Sequence, residues 1–443
     1  MKRKALGVLL SIMMLGTCVI TGCGEGGSEA PASGSQAADT AESTETAAGT
    51  VQAGSEATLE YCGNDISEHK ELVMYVIGDE PVAADEVEEA LNAKLEDKLN
   101  CTVDINYIAL SDYTQKYSLL LASGENIDII YTSTWAFYNE EATKGAFAEI
   151  TDELLQKYMP QTAAGEDSMA FEQAKINGKC YMIPKNSPYV NNAMPVLIRG
   201  DLREKYGIDA ENEEGIYPYA AAGDAVEMSM NLFQSRNNLV PMSCGSGKYF
   251  GYFYQGKDPA AEDVVWQYGT DEYLEYCKLM KSWADKGFWS KNAVSNTTSP
   301  LDAFQNGTSA ALFWNLDTCE SAKNVVDSEH PEWKAELVNV TPGVVHVKGV
   351  YTGDGFAIPA VSENQERALM VLDVLKFDKE CYDICRYGIE GSTFNATSDT
   401  TYTLGDEQAN YAVGNAPVSW GLKNDVLERI QGEAGTTQSE IRQ

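Results

Sequence analysis

Histidine and basic residues are scarce in this chain. Among 443 residues there are 32 Lys plus Arg against 67 Asp plus Glu, which gives a formal charge of −35 at pH 7. A chain this acidic repels nucleic acid and anionic lipid headgroups, so proteins that bind these partners through a positive surface are excluded. The three histidines lie at no metal-ligand spacing to a cysteine or to each other, so no zinc site is expected. They are His69, His330 and His346.

The motifs of common enzyme classes are also missing. No G-x-S-x-G sequence marks a nucleophile elbow, and Gly245-Ser246-Gly247-Lys248 lacks the first Gly and the following Ser or Thr of a P-loop. Asp79 and Glu80 are neighbours, whereas a glycosidase needs two carboxyl groups that face each other across a bond. We therefore expect a binding protein and not an enzyme, with no cofactor and no metal.

Cysteine usage does not indicate a disulfide framework. Apart from Cys18 and Cys23, eight cysteines are scattered along the chain without a C-x-x-C pair. A large domain does not need disulfides for its stability. We expect most of these cysteines to be buried thiols.

Long apolar runs are absent beyond the N-terminus, where the chain carries the pattern of an export signal. Three basic residues at positions 2–4 precede an apolar run from Ala5 to about Met14, and Ile20-Thr21-Gly22-Cys23 follows. The last four residues resemble a bacterial lipobox, in which the chain is cut before the cysteine and its sulfur carries lipid. We expect residues 1–22 to be removed and Cys23 to tether the protein to the outer face of the cell membrane. The alternative is an ordinary signal peptide with a chance cysteine.

A polar segment separates this signal from the body of the protein. From residue 24 to about 60 the chain is mainly Gly, Ser, Ala, Thr and Glu. Such a segment cannot bury enough apolar surface to offset its ordering entropy, so residues 23–60 are predicted to form a disordered linker. The remaining body is longer than one core usually organises, which favours two lobes.

The body opens with alternating strand and helix patterns. Apolar runs at 72–77 and 127–131 and the alternation at 103–107 predict three strands. Asp112 is positioned to cap a helix between the second and third strands. This β-α-β-α-β order implies parallel strands joined by right-handed crossovers. The first helix is predicted from apolar residues spaced four apart, which are Val87, Leu91, Leu95 and Leu99.

The rest of the body continues as a mixture of strands and helices. Asn177-Gly178 is typical of a tight turn, and the stretch 391–420 is mostly polar and loop-like. Helical patterns occur at 201–206, 221–238, 270–286, 299–306, 317–328 and 363–376. Strand patterns occur at 179–184, 194–199, 309–314, 335–341 and 356–359.

Five segments between about residue 70 and residue 395 occur in the order of a known family. They are Leu121-Ala122-Ser123-Gly124-Glu125 with Ile127-Asp128-Ile129-Ile130; Ala142-x-x-Gly145-x-Phe147-Ala148-Glu149-Ile150-Thr151; Asn177-Gly178-Lys179-x-Tyr181-x-Ile183-Pro184; Phe304-x-Asn306-Gly307-x-x-Ala310 running to Trp314; and Gly353-Asp354-Gly355-Phe356-Ala357-Ile358-Pro359 before Arg367-Ala368. Together with the lipobox, they resemble the extracellular solute-binding proteins of family 1. These proteins serve ABC importers, and the Gram-positive lipoprotein type is the nearest subgroup.

The resemblance implies an α/β, two-lobed periplasmic-binding-protein-like fold of type II. Lobe I would comprise residues 65–185 and 356–390, and lobe II residues 186–355 and 391–443, with the ligand in the cleft between them. The expected function is capture of a carbohydrate, with an oligosaccharide as the expected form, by a monomer that delivers it to ABC permease subunits. Alternatives are a non-sugar solute such as a peptide or polyamine, or use of the same scaffold as a ligand sensor or adhesin.

A sugar site needs aromatic platforms together with polar groups for the hydroxyls. Trp314 follows a buried strand where the family often has a stacking aromatic, although a core position is the alternative. Trp135 and Tyr138 follow the third strand. Asp79 and Glu80 follow the first strand, where a solvated turn would also explain them.

Asp354 lies between two glycines at a crossing between the lobes. It either binds ligand or forms a turn that caps local backbone groups. Four further candidates for the ligand site are Arg199, Asn191, Trp420 and Glu390.

Overall fold

The computed structural model describes residues 59–188, 190–191, 195–207, 239–244, 248–255, 264–287, 299–338, 347–348 and 350–432. These residues belong to the compact unit Ala57–Gln443. Cys23, the predicted signal and the predicted helix at 221–238 lie outside the described residues.

Short strands and helices alternate along the described chain. The strands are β1 (Glu60–Tyr61), β2 (Asn64–Asp65), β3 (Lys70–Ile77), β4 (Cys101–Ile108), β5 (Ile129–Thr132), β6 (Lys175–Ile176), β7 (Lys179–Cys180), β8 (Ile183–Pro184), β9 (Val190–Asn191), β10 (Val196–Ile198), β11 (Leu239–Cys244), β12 (Lys248–Gln255), β13 (Val264–Trp266), β14 (Ala311–Phe313), β15 (Glu336–Val338), β16 (Val347–Lys348), β17 (Gly355–Ala357), β18 (Phe394–Ala396), β19 (Thr401–Leu404) and β20 (Ile430–Gln431). The helices are α1 (Ala84–Leu99), α2 (Tyr113–Ala122), α3 (Tyr138–Lys144), α4 (Asp152–Tyr158), α5 (Pro160–Gly165), α6 (Ser168–Gln173), α7 (Gly200–Tyr206), α8 (Asp271–Asp285), α9 (Pro300–Gln305), α10 (Leu316–Glu329), α11 (Gln365–Phe377) and α12 (Lys379–Tyr387).

The first sheet has five strands in the order β4-β3-β5-β17-β8. Strands β3 and β4 pair in parallel from Lys70 opposite Cys101 to Ile77 opposite Ile108, and β3 also pairs in parallel with β5. The predicted parallel order of these three strands is confirmed. Strand β17 is antiparallel to both β5 and β8, so it runs against its neighbours.

Helices α1 and α11 pack into the core of the first sheet. The four apolar residues that predicted α1 are all buried, with Leu91, Leu95 and Leu99 at 0% exposure. Each fully buried leucine contributes roughly 1.5–3 kcal/mol of transfer free energy. Along α11 every residue from Arg367 to Lys376 is buried. This helix is therefore central to the core and not a surface helix with one apolar face.

The second sheet has three antiparallel strands in the order β14-β10-β15. Because side chains alternate along a strand, Val196 and Ile198 pack with Trp283 of α8 on one face. Leu197 of the same strand packs with Phe304 of α9 on the other face. Trp283 is a core residue, since it is 1% exposed.

The C-terminal part differs from the predicted loop. Strands β18 and β19 pair in antiparallel fashion within the stretch expected to lack structure. Phe394 and Tyr402 bury their rings against Tyr382 and Tyr387 of α12. Phe394 and Tyr402 thus pack on a helix within the range assigned to lobe I, whereas the predicted division places residues 391–443 in lobe II; that division stays a prediction. Helix α12 and the sheet of β11, β12 and β13 were also missed.

A buried ion pair connects Glu428, near the end of the described residues, to Arg386 of α12. Arg386 donates to Glu428 at 2.7 Å, and Tyr382 Oη donates to the same carboxylate at 2.7 Å. The positive charge of Arg386 holds the pKa of Glu428 below its usual range against the opposing effect of burial. Within the part of the chain that the structure describes, no helix is long and apolar enough to cross a membrane.

Candidate functional site

The carboxyl ends of the first sheet's parallel strands meet at one edge. Ile77 lies opposite Ile108 where β3 and β4 end, and β17 begins at Gly355, opposite Thr132 at the end of β5. Loops after such strand ends converge and commonly form ligand sites in α/β proteins. This edge brings together the predicted site residues Asp79, Glu80, Trp135 and Asp354.

Trp135 is held at this edge by the loop that precedes β17. Its indole Nε1 donates to the Gly353 carbonyl at 2.9 Å, and Ser133 Oγ donates to the same oxygen at 2.6 Å. The ring of Tyr113 packs edge-on against the indole, with ring centroids 5.4 Å apart. The half-buried indole is therefore fixed in orientation, as a stacking platform requires.

Asp354 forms a buried ion pair across the first sheet. Its carboxylate binds Lys185 Nζ, and Tyr131 Oη donates to its other oxygen at 2.5 Å. The side chains of Lys185 and Asp354 are 6% and 10% exposed. Both carboxylate oxygens are therefore engaged within the protein, and a role of Asp354 in ligand binding stays a prediction. Asp354 ties β17 to the residue that follows β8.

Trp420 reaches the same edge from the C-terminal turn Pro417–Leu422. Its Nε1 donates to the Asn415 carbonyl at 2.8 Å, and its ring lies edge-on to Tyr131 at 6.1 Å. Gly78 has a φ of +140°, and a Cβ there would lie 2.4 Å from Pro417 Cγ. The absence of a side chain at residue 78 thus lets the turn with Trp420 sit directly on the end of β3.

Replacing Gly78 with alanine is expected to destabilise the protein by about 1–3 kcal/mol, because φ is unfavourable and the new methyl group meets Pro417. The displaced turn should also weaken ligand binding through Trp420. Urea unfolding measures the first effect. The matched control is Gly269→Ala, whose Cβ would meet Trp266 at an ordinary 3.5 Å. Equal stability of the two variants would contradict the assigned contact.

Trp314 lies at one end of the second sheet, where it packs partly buried against the cluster that contains Leu197 and Phe304. It follows β14 and immediately precedes α10, whose N-cap Asn315 accepts from Thr318 N at 2.9 Å. Asp317 of α10 pairs with Lys423 at 2.8 Å, and Asn415 Nδ2 donates to Thr318 Oγ1 at 3.5 Å. These contacts place the start of α10, which follows the half-buried Trp314, against the segment that carries Trp420.

Carboxylates approach the site from both sheets. Asp79 and Glu80 are exposed after β3. Loss of solvation, and then the negative charge of Asp79, raises the pKa of Asp302 on α9. The end of β3 and helix α9 thus lie close enough for their carboxylates to interact.

Two predicted site residues lie elsewhere. Tyr138 is 0% exposed, and its hydroxyl donates to Ala174 O and accepts from Tyr181 N, so it is a core residue. Arg199 N bonds Ala310 O, which places it at the opposite end of β14 from Trp314, roughly 13 Å along the strand. Its guanidinium forms two 2.7 Å bonds to Asp201. Both residues thus lie away from the edge that holds Trp135 and Trp420.

The remaining candidates are not brought to this edge by any described contact. Asn191 is described only through its backbone pairing with Val347. Glu390 is exposed, forms a backbone bridge with Phe394, and its charge acts on Arg429. Both remain predictions.

Sequence reasoning missed Asp302, Lys185 and the Asp317–Lys423 pair. Lys185 directly follows a predicted strand, so the rule that selected Asp79 would have found it. Asp302 carries no comparable signal in the sequence. Among the described residues, no group of three or more His, Cys, Asp or Glu is arranged to hold a metal ion.

Two characterised proteins are similar in sequence. A carbohydrate ABC transporter substrate-binding protein of Streptococcus pneumoniae is 26% identical over 360 residues, covering 76% of this chain and 70% of the relative. The polygalacturonan/rhamnogalacturonan-binding protein YtcQ of Bacillus subtilis is 27% identical over 252 residues, covering 53% of this chain and 49% of the relative. No family model matches the chain.

Solved structures show the same fold. The N-glycan transport solute binding protein NgtS of Streptococcus pneumoniae, in complex with Man1GlcNAc, superposes with a TM-score of 0.62 at 21% identity, covering 84% of this chain and 81% of that one. An extracellular solute-binding protein of Bifidobacterium longum subsp. infantis gives 0.52 at 16% identity, covering 84% and 80%. The chain has the two-lobed α/β fold of solute-binding proteins and is homologous to carbohydrate ABC transporter substrate-binding proteins.

Proposed function

We propose that this protein is an extracellular solute-binding lipoprotein that captures an oligosaccharide and delivers it to an ABC importer. The observation that carries the proposal is that two half-buried tryptophans, Trp135 and Trp420, both contact Tyr131 at the carboxyl edge of the first sheet. Trp314 of the second sheet precedes α10, which contacts the segment that carries Trp420.

The chemistry of this arrangement suits a sugar. Indole faces stack on the C–H faces of sugar rings, while carboxylates such as Asp79 and Glu80 accept hydrogen bonds from hydroxyl groups. A ligand that binds between the two sheets favours the arrangement of the lobes in which both lobes contact it. The similarity to a carbohydrate ABC transporter substrate-binding protein supports the same ligand class.

The remaining parts of the proposal come from the sequence. Membership of family 1 follows from the five ordered segments, and attachment through Cys23 follows from the lipobox. On this proposal the protein is a monomer on the outer face of the membrane, and its partners are permease subunits that recognise the loaded form.

A thermal-shift screen tests the ligand class. Purified protein lacking residues 1–23 is melted with mono- and oligosaccharides, amino acids, peptides and polyamines, because a ligand of the native state raises the melting temperature by mass action. We expect a shift from one family of oligosaccharides. A shift from peptides or polyamines alone would contradict carbohydrate capture and leave the fold assignment intact. Deleting the gene should abolish uptake of the same sugar if the protein serves transport and not sensing.

A further inference from the structure

We propose that this site selects uncharged oligosaccharides and rejects glycans that carry carboxylates, such as oligouronates. The inference rests on the proposed function and specifies its substrate class. At the edge that holds Trp135 and Trp420, carboxylates are exposed, whereas the ammonium groups are paired with other carboxylates of the protein. The inference follows from this difference.

Negative charge at this edge is not neutralised within the described part of the chain. Asp79 and Glu80 are exposed, and neither makes a hydrogen bond or ion pair with the described residues. Gly78, directly before them, lies against the turn that carries Trp420, since a Cβ at Gly78 would be 3.5 Å from the Trp420 ring. A ligand that stacks on Trp420 therefore meets these carboxylates, and the charge of Asp79 adds to the loss of solvation that raises the pKa of Asp302 on the other sheet.

The ammonium groups that the structure places beside the tryptophans are paired with carboxylates of the protein. Lys185 binds Asp354, and their side chains are only 6% and 10% exposed. Lys423 binds Asp317 at 2.8 Å, with side-chain exposures of 11% and 27%. If either lysine turned to bind a ligand carboxylate, Asp354 or Asp317 would lose its cation. Breaking such a partly or fully buried ion pair is unfavourable, because it leaves a carboxylate without its counter-charge.

The two ligand classes therefore meet different surfaces. A neutral sugar offers hydroxyl donors to Asp79 and Glu80 and apolar ring faces to the indoles. A uronate would give up hydration of its carboxylate beside like charges, and the formal charge of −35 on the whole chain has the same sign. This separates the protein from the relative named as a polygalacturonan- and rhamnogalacturonan-binding protein.

A glycan array of neutral and acidic oligosaccharides, followed by calorimetry, tests the inference. The purified protein is titrated with the neutral oligosaccharide that the array identifies and with its counterpart oxidised to a uronate at C6. We expect the uronate to bind at least about tenfold more weakly, with a smaller difference at high salt because screening weakens the repulsion.

The charge assignment is tested by Asp79→Asn combined with Asp302→Asn. This double variant should reduce the uronate penalty to less than about threefold, whereas Asp399→Asn, an exposed carboxylate in the turn between β18 and β19, should leave it unchanged. Equal binding of the neutral and oxidised sugars by the unmodified protein would overturn the inference while leaving carbohydrate capture in place. Binding of peptides or polyamines with no glycan bound would instead overturn the proposed function.

Discussion

Replacing Lys376 with alanine is expected to lower the free energy of unfolding by about 3–5 kcal/mol, the cost of leaving a buried charge without its partner. Lys376 lies on α11 and binds Glu166 Oε2 at 2.6 Å, with both side chains 0% exposed. Its ammonium also donates to the Pro184 carbonyl at the end of β8. Thermal and urea unfolding measure the loss.

The electrostatics of this pair explain why one partner cannot be lost alone. Burial raises the pKa of Glu166 and lowers that of Lys376, and each partner's charge opposes the effect of burial on the other. Glu166 Oε1 has no hydrogen-bond partner in the described structure. The Lys376 ammonium, bound to Oε2, therefore compensates for the water that this carboxylate lost on burial.

A double variant separates charge from packing. Changing Lys376 to methionine and Glu166 to leucine together removes both charges, and most of the lost stability should return. Lys281→Ala serves as the exposed control, because its pair with Asp285 has side chains 74% and 65% exposed and such pairs contribute about 0–1 kcal/mol. If Lys376→Ala and the double variant at residues 376 and 166 were equally destabilising, loss of packing and not loss of charge would explain the effect.

Replacing Trp135 or Trp420 with alanine is expected to weaken oligosaccharide binding by about 10–100-fold, since central aromatic groups contribute most to binding. Trp314→Ala should fall in the same range. Isothermal titration with the sugar found in the screen measures the affinities. The melting temperature of each unliganded variant shows whether the site changed without loss of the fold.

Trp333 provides the matched control for these variants. It stacks on His330 with ring centroids 4.1 Å apart, and Arg199 lies 3.9 Å from its ring centroid. Because Arg199 is at the end of β10 away from Trp314, Trp333→Ala should leave sugar affinity within about twofold of the original, as expected for a residue outside the contact region. A comparable loss of affinity in all four variants would show that the tryptophans act on stability and not on the ligand.

Strand ends predicted part of the candidate site because the β-α-β-α-β order of the first segment implies parallel strands. Asp79 and Trp135 follow parallel strands, so the pattern of apolar runs was enough to place them at one edge. Arg199 also follows a strand, but β10 is antiparallel to both of its neighbours, so Arg199 lies at the opposite end of the second sheet from Trp314. The direction of a strand within a sheet depends on distant partners, which a single sequence does not reveal.

Contacts between distant residues account for the other errors. Tyr138 lies three residues after Trp135, yet its hydroxyl is buried and hydrogen-bonded to Ala174 and Tyr181. No local sequence pattern indicates these two partners. Trp420 was found by its residue type, but its position depends on the turn that rests against Gly78. The C-terminal strands were missed because β18 and β19 are short and polar on one side, and they are stabilised mainly by rings from α12.

The place of β17 in the first sheet has a consequence for how the chain folds. This strand lies between β5 and β8, although both precede it by about 170 residues or more. During synthesis from the N-terminus, β5 therefore keeps one unpaired edge until the whole second sheet has been made, and all four of its residues are buried in the final structure. An exposed apolar edge of this kind readily pairs with other chains. From the completion of β5 until the arrival of Gly355, this edge of a newly made chain is open to pairing with other chains.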